Sequence, residues 1–181
     1  RAFADSPPST EFAADSQTAL HGPPASPGPV PTFQRLDWED GRGRSYVIPA
    51  AEILAYIFLL NQYDRRFVEP REDYRTSGST IWQHLTDSKW VIDNDQFKVN
   101  QFLHPYGGSV YYGLARSSGL SFWESFLYST AGSFAWEVAG ERTNPSINDM
   151  IATPIGGSLL GEALFRMASL ALEVDDGRPG F

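Results

Sequence analysis

The chain has no cysteine, is short of positive charge, and carries no uninterrupted apolar run of membrane-spanning length. The missing cysteine excludes disulfide bonds, thiol catalysis and cysteine-ligated zinc together, and leaves the compartment open. Fourteen lysines and arginines stand against 22 acids, a net charge of -8, which repels both nucleic-acid phosphates and anionic lipid headgroups. A nucleic-acid role is therefore not expected. Glu124, Glu137, Glu162 and Arg166 interrupt the most apolar parts, so none reads as a plain membrane span.

Of the 181 residues 41% are hydrophobic, enough for one domain with a real core. Residues 1–45 are rich in Pro, Ser and Ala, as in SPPST and GPPASPGPVP, and lack the apolar periodicity that repays ordering entropy. They read as an extended tail or linker that lies along a partner chain. Residues 46–172 read as a helical domain and 173–181 as a short C-terminal tail.

The domain is organised around 119–166. Ser121 and Glu124 have the spacing of a capping box, so a helix should start at Phe122. That helix is apolar on most sides, with Gly132, Ala139 and Gly140 where another backbone can approach, and should be buried or in contact with lipid. Asn144-Pro145 should stop it, and Ser146 with Asp149 should cap the next. The second helix carries Thr153, Gly157 and Gly161 at four-residue spacing for close packing, a kink at Pro154, and a Glu162–Arg166 pair. Together they predict an antiparallel helical hairpin within a mainly α, small bundle.

Around it, Pro49 should sit in the first turn of a helix ending at Arg65 and Arg66, too short to span a bilayer alone. Residues 79–85 predict a short helix with Trp82 and His84, and 90–103 an irregular loop exposing Asp93, Asn94 and Asp95. A further helix should enter after Pro105 and the Gly107-Gly108 pair and close at Gly119, with Tyr111, Tyr112 and Leu114 as packing residues.

The candidate site residues are His104, Glu137, Glu141 and Asp149. Acids in an apolar hairpin are costly unless paired, so they form either a structural polar network with Arg116, Glu124 and Arg142, or an acid–base site. Glu137 and Glu141 share a helix face and should raise one another's pKa unless a cation intervenes, Arg142 being the nearest. His104 is a general base, a metal ligand or, the preferred reading, bonded to nearby backbone, since no second well-placed histidine supports a metal; Glu124 reads as a capping residue. Asp93 and Asp95 lack the glycine and distal glutamate of a calcium loop, and neither metal nor cofactor is expected. Trp123, Trp136, Tyr111 and Tyr112 either pack the core or line a groove for an apolar ligand.

The series NQFLHPYGGSVYYGLARSSGLSFWES, GSFAWEVAGE, PSIND and GGSLLGE resembles an uncharacterised family of Gram-negative envelope proteins, a domain of unknown function, over roughly residues 61–176. The family implies no established activity, and some members resemble chains that continue into an outer-membrane β-barrel. Glu141, Arg142, Pro145, Ser146, Asp149, Gly157 and Gly161 are also similar in arrangement to VanZ-like membrane proteins. These likenesses imply a cell-envelope location, periplasmic or outer-membrane associated. Three functions follow as expectations: a non-enzymatic subunit bound to a partner complex or membrane surface, an enzyme on a lipid-linked or cell-wall substrate, or a binding module for an apolar ligand. A pocket bringing His104 within reach of an acid favours the second.

Overall fold

A computed structural model describes residues 43–87 and 89–174, with side chains to 172. The expected N-terminal tail lies outside the described residues except for 43–45. So does the C-terminal one, except that the last helix continues two residues into it, to Val174.

Among the described residues five α-helices follow one another: α1 Val47–Phe67, α2 Gly78–Thr86, α3 His104–Ser117, α4 Phe122–Ala135 and α5 Ile147–Val174. A 3-10 turn spans Arg71–Tyr74, and π-helical turns span Val99–Leu103 and Trp136–Gly140. Among the described residues there is no strand; Val91 makes one isolated parallel bridge with Ser146. The protein is mainly α-helical, as the sequence predicts.

Helix α1 holds Pro49 in its first turn and Arg65 and Arg66 in its last, where cations offset unpaired carbonyls. Its Ile53, Ile57, Asn61 and Asp64 fall on one buried stripe. Ile53 and Ile57 join Tyr111 and Trp136 in an apolar core, with Tyr56 edge-on to Tyr111 at 5.7 Å. The Asn61 amide donates to Tyr74 O at 2.8 Å and to Gly140 O at 2.7 Å, tying α1 to the 3-10 turn and to the second π turn. Ser77 caps α2, whose buried His84 lies 3.1 Å from Val138 O.

At the other end of the bundle, α3 closes on Gly119, whose φ of +80° a side chain would strain. Two residues on, Ser121 N donates to Glu124 Oε2 at 2.7 Å and Glu124 N to Ser121 Oγ at 3.4 Å, completing the capping box.

The tightest seam joins α3 to α5. A Cβ on Gly108 would lie 2.0 Å from Thr153 O, and one on Gly157 2.5 Å from Gly108 Cα. Tyr112 meets Gly161, and Arg116 stacks over Phe165, so the two helices run in parallel with matched four-residue steps. Helix α4 runs the other way: Ser129 Oγ donates to Gly108 O, and Phe122 lies against Tyr112. Hence α4 and α5 are antiparallel, as expected of the hairpin. The small-residue face of α5, however, packs on α3.

Two local expectations are corrected. The segment 90–103 is irregular only to Gln96; from Phe97 it is helical and runs through the π turn into α3 without a break. His104 and Pro105 therefore open a helix rather than sit in a loop, and Gly107 and Gly108 are inside it. Asp93 is not an exposed loop acid, because Asn148 holds it from both sides.

Beside the apolar core, many hydroxyls are buried and many large apolar side chains lie outside. Ser125, Ser129 and Ser133 of α4 and Thr153, Ser158 and Ser169 of α5 are buried, together with Glu137 and Asp149. Leu54, Phe58 and Leu59 of α1, Trp123 and Leu127 of α4, and Ile151, Ile155, Leu159, Leu164 and Met167 of α5 are exposed. The stretch 147–172 is long and apolar enough to cross a membrane by length and composition, and 22% of its most apolar part is buried.

Candidate functional site

Three helices deliver one side chain each to a common point. His104 comes from the π-to-α junction that starts α3, Glu137 from the π turn that ends α4, and Asp149 from the first turn of α5. One ligating atom from each lies within 4.8 Å of the other two. Glu137 and Asp149 are each only 3% exposed. Both π turns abut this point, and π turns in helices recur at functional sites.

Each side chain is held from behind. His104 Nε2 is 3.5 Å from Asp149 Oδ2, long for a hydrogen bond, while its Nδ1 is 3.3 Å from Thr153 Oγ1. With Nε2 facing the acid, the contact of Nδ1 with the Thr153 hydroxyl fixes the ring. Glu137 Oε2 accepts from Ser146 N at 2.7 Å. Ser146 Oγ accepts from Asp149 N at 3.2 Å, the N-cap anticipated from PSIND. Asn148 Nδ2 donates to Asp93 Oδ1 at 2.9 Å, and Asp93 N donates to Asn148 Oδ1 at 3.0 Å. Val91 N to Pro145 O and Ile147 N to Val91 O complete the clasp between 91–93 and the start of α5.

The electrostatics follow from burial. Burial first, then the neighbouring acids, pushes Glu137 up to about 8. Burial and the adjacent Asp93 carboxyl push Asp149 up to about 8. Burial also opposes ionisation of Asp93. Hydrogen bonds from Asp149, Asn148, Ser146 and the Asp95 backbone outweigh it and hold Asp93 well below the usual carboxylate range. The two shifts run in opposite directions, so of this pair Asp149 holds its proton more tightly than Asp93. Burial lowers His104, which favours neutral imidazole.

The other candidates are placed apart. Glu141 Oε1 accepts from Trp136 Nε1 at 2.8 Å and Oε2 from Thr143 Oγ1 at 3.1 Å; burial raises its pKa. Arg142 is exposed, and its backbone N–H donates to Asp73 O. Arg116 binds Glu162 at 3.0 Å, alongside the Tyr112 hydroxyl at 2.6 Å and Arg166 at 2.8 Å. Glu124 takes the Tyr46 hydroxyl at 2.7 Å at the α4 cap. Neither Arg116 nor Arg142 therefore neutralises the acids at the hairpin turn, and Glu124 is remote from them. Sequence reasoning missed Asp93, Asn148 and Thr153 as members. Their signals are contacts across long separations, 55 residues between Asp93 and Asn148 and 49 between His104 and Thr153, which no local pattern displays.

A cavity of about 350 Å³ opens beside the cluster. His104, Ser133, Glu141 and Thr153 give it a polar edge, and Tyr56, Leu60, Tyr111 and Trp136 supply an apolar wall. Of the four aromatics singled out, Tyr111 and Trp136 line it, Tyr112 is buried against Phe122 and Gly161, and Trp123 is exposed.

Residues 89–179 match the family described as a domain of unknown function, DUF3943, over half of the chain. The chain belongs to this family. The matched region contains every member of the cluster, from Asp93 to Thr153, whereas α1 and α2 precede it. No curated protein and no solved structure matches the chain.

Proposed function

We propose that this DUF3943 protein is a lipid-associated subunit of the cell envelope, periplasmic or at the outer membrane, whose proline-rich N-terminal stretch engages partner chains. The distribution of polarity supports this reading: large apolar side chains cover much of the outside of α1, α4 and α5, while hydroxyls and acids share the inside with the apolar core. Contiguous apolar surface of this kind marks a lipid or partner interface, and small residues at helix seams are the packing mode that suits lipid surroundings. The likeness of the sequence to envelope and VanZ-like proteins points the same way. Co-flotation with liposomes tests it. The wild-type chain should float with neutral vesicles and the double variant Ile155→Glu/Leu159→Glu should not, with helicity unchanged by circular dichroism. A wild-type chain that stays at the bottom of the gradient in monomeric form ends this reading.

The cavity favours a second reading, that the protein acts on a lipid-linked substrate. An apolar wall would take an acyl or prenyl chain, and the polar edge would set its head beside His104. Neutral His104 at 3.5 Å from a protonated Asp149 is an acid–base pair in reach of that edge. Turnover of lipid-linked substrates by the wild-type chain, lost in His104→Gln with vesicle binding retained, would establish it.

A further inference from the structure

From the geometry we infer that His104, Glu137 and Asp149 form a binding site for a first-row divalent cation, placed where α3, α4 and α5 meet. The inference stands on the cluster alone and does not rest on lipid contact.

Four observations carry it. The donor set is one imidazole nitrogen and two carboxylate oxygens, all mutually within 4.8 Å, which a single ion with bonds of about 2.1 Å can gather with small side-chain movements. Glu137 is 3% exposed, yet among the described residues only its Oε2 has a hydrogen-bond donor. It is a nearly buried carboxylate steadied by one backbone donor, and one of its oxygens lies within 4.8 Å of the donor atoms of His104 and Asp149. His104 and Asp149 face one another at a separation too long for a good hydrogen bond, as two ligands of one ion do. Finally, no lysine or arginine among the described residues forms an ion pair with Asp93, Glu137 or Asp149, because Arg116 is engaged by Glu162 and Arg142 is exposed. With no basic side chain beside them, Glu137 and Asp149 keep their protons until a cation displaces them, and metal binding releases those protons.

The surrounding residues are those a metal site uses. Thr153 Oγ1 sits on the ring nitrogen of His104 opposite Asp149, the outer contact that fixes a ligating imidazole. The Ser146 backbone N–H steadies Glu137, and Ser133 Oγ donates to Asp149 O at 3.4 Å. Three protein ligands leave positions open, and the cavity beside His104 gives access to them. An imidazole in the set selects zinc, manganese, iron or cobalt over calcium, which takes six to eight oxygens.

The experiment uses the full chain, freed of metal by a chelator and titrated with Co2+ and separately with Zn2+. One equivalent of Co2+ should produce visible d–d absorption and raise the thermal midpoint. His104→Gln, Glu137→Gln and Asp149→Asn should each weaken binding by at least about tenfold, whereas Glu162→Gln, at the other polar cluster, should leave it unchanged. Thr153→Val should weaken binding less than loss of a ligand. If a ligand variant does not fold, imidazole 15N spectra of the wild-type chain decide: Zn2+ should shift the ring nitrogens of His104 and leave those of His84 in place. No cobalt absorption, equal affinity in the folded ligand variants, or an unmoved His104 spectrum overturns the inference. Flotation in lipid is read independently, so failure of either proposal is distinguishable from failure of the other.

Discussion

Gly157 and Gly113 make a matched pair. A Cβ on Gly157 would meet the backbone of Gly108 at 2.4 Å, where nothing can move aside, while Gly113 on the same α3 helix faces open space. Gly157→Ala should therefore lower stability by about 3 kcal/mol, and Gly113→Ala should raise it by up to about 1 kcal/mol through helix propensity. Thermal or chemical unfolding of the two variants checks this. Asp64, on the buried stripe of α1 and on the cavity wall, gives a pH signature. Burial lifts its pKa from 3.8 to about 6, so the folded chain holds its proton more tightly than the unfolded one. The associated stability is fully present below the unfolded pKa and is lost as pH rises through the folded value. The unfolding midpoint should fall between roughly pH 4 and pH 7, and Asp64→Asn should make that fall shallower without abolishing it, because Glu137 and Asp149, raised to about 8, lose stability through the same window. A wild-type slope retained in the variant would assign the titration elsewhere. At this scale Glu137, Asp149 and His104 were legible because acids and a histidine in apolar helices stand out. Their pairing was not, because Arg142 is next to Glu141 in sequence but points to solvent.

The ends of the elements follow local chemistry closely. Ser121 and Glu124 close their capping box, and Gly119 takes the left-handed conformation that terminates α3. Ser121→Ala should cost about 1 kcal/mol, measured by denaturant unfolding, with Glu124→Gln giving a smaller loss because an amide oxygen can still accept from Ser121 N. A silent Ser121→Ala would mean that tertiary packing alone starts α4. The start of α3 was misjudged for a physical reason. Gly107 and Gly108 resemble a helix entry, but Gly108 is inside the helix because Thr153 and Gly157 press against it. Glycine chosen for contact and glycine chosen for a turn look alike in one dimension. The same holds for 90–96: its irregularity was visible, but its docking on the PSIND turn depends on a bridge between Val91 and Ser146.

For the whole molecule, the mainly helical class and the antiparallel α4–α5 relation follow from periodicity and one short turn. The parallel α3–α5 seam does not, since it is set by which faces three helices bury together. Spin labels check it directly. With Arg116 level with Phe165, labels at Ser117 and Arg166 should lie closer than labels at Ser117 and Ile151, which is about 22 Å further along α5. The opposite order would refute the parallel arrangement. A cysteine-free chain makes such labelling clean. The place that a Cβ of Gly108 would take, 2.0 Å from Thr153 O, is filled by a hydrogen, and that hydrogen points at the carbonyl. A Cα–H···O contact of this kind contributes about 0.5–1 kcal/mol without any release of water. Hydrophobic adhesion between helices vanishes when lipid replaces water, but this attraction does not. The seam that sets His104 beside Asp149 therefore holds equally in either medium, whichever one bathes the outer faces of the helices.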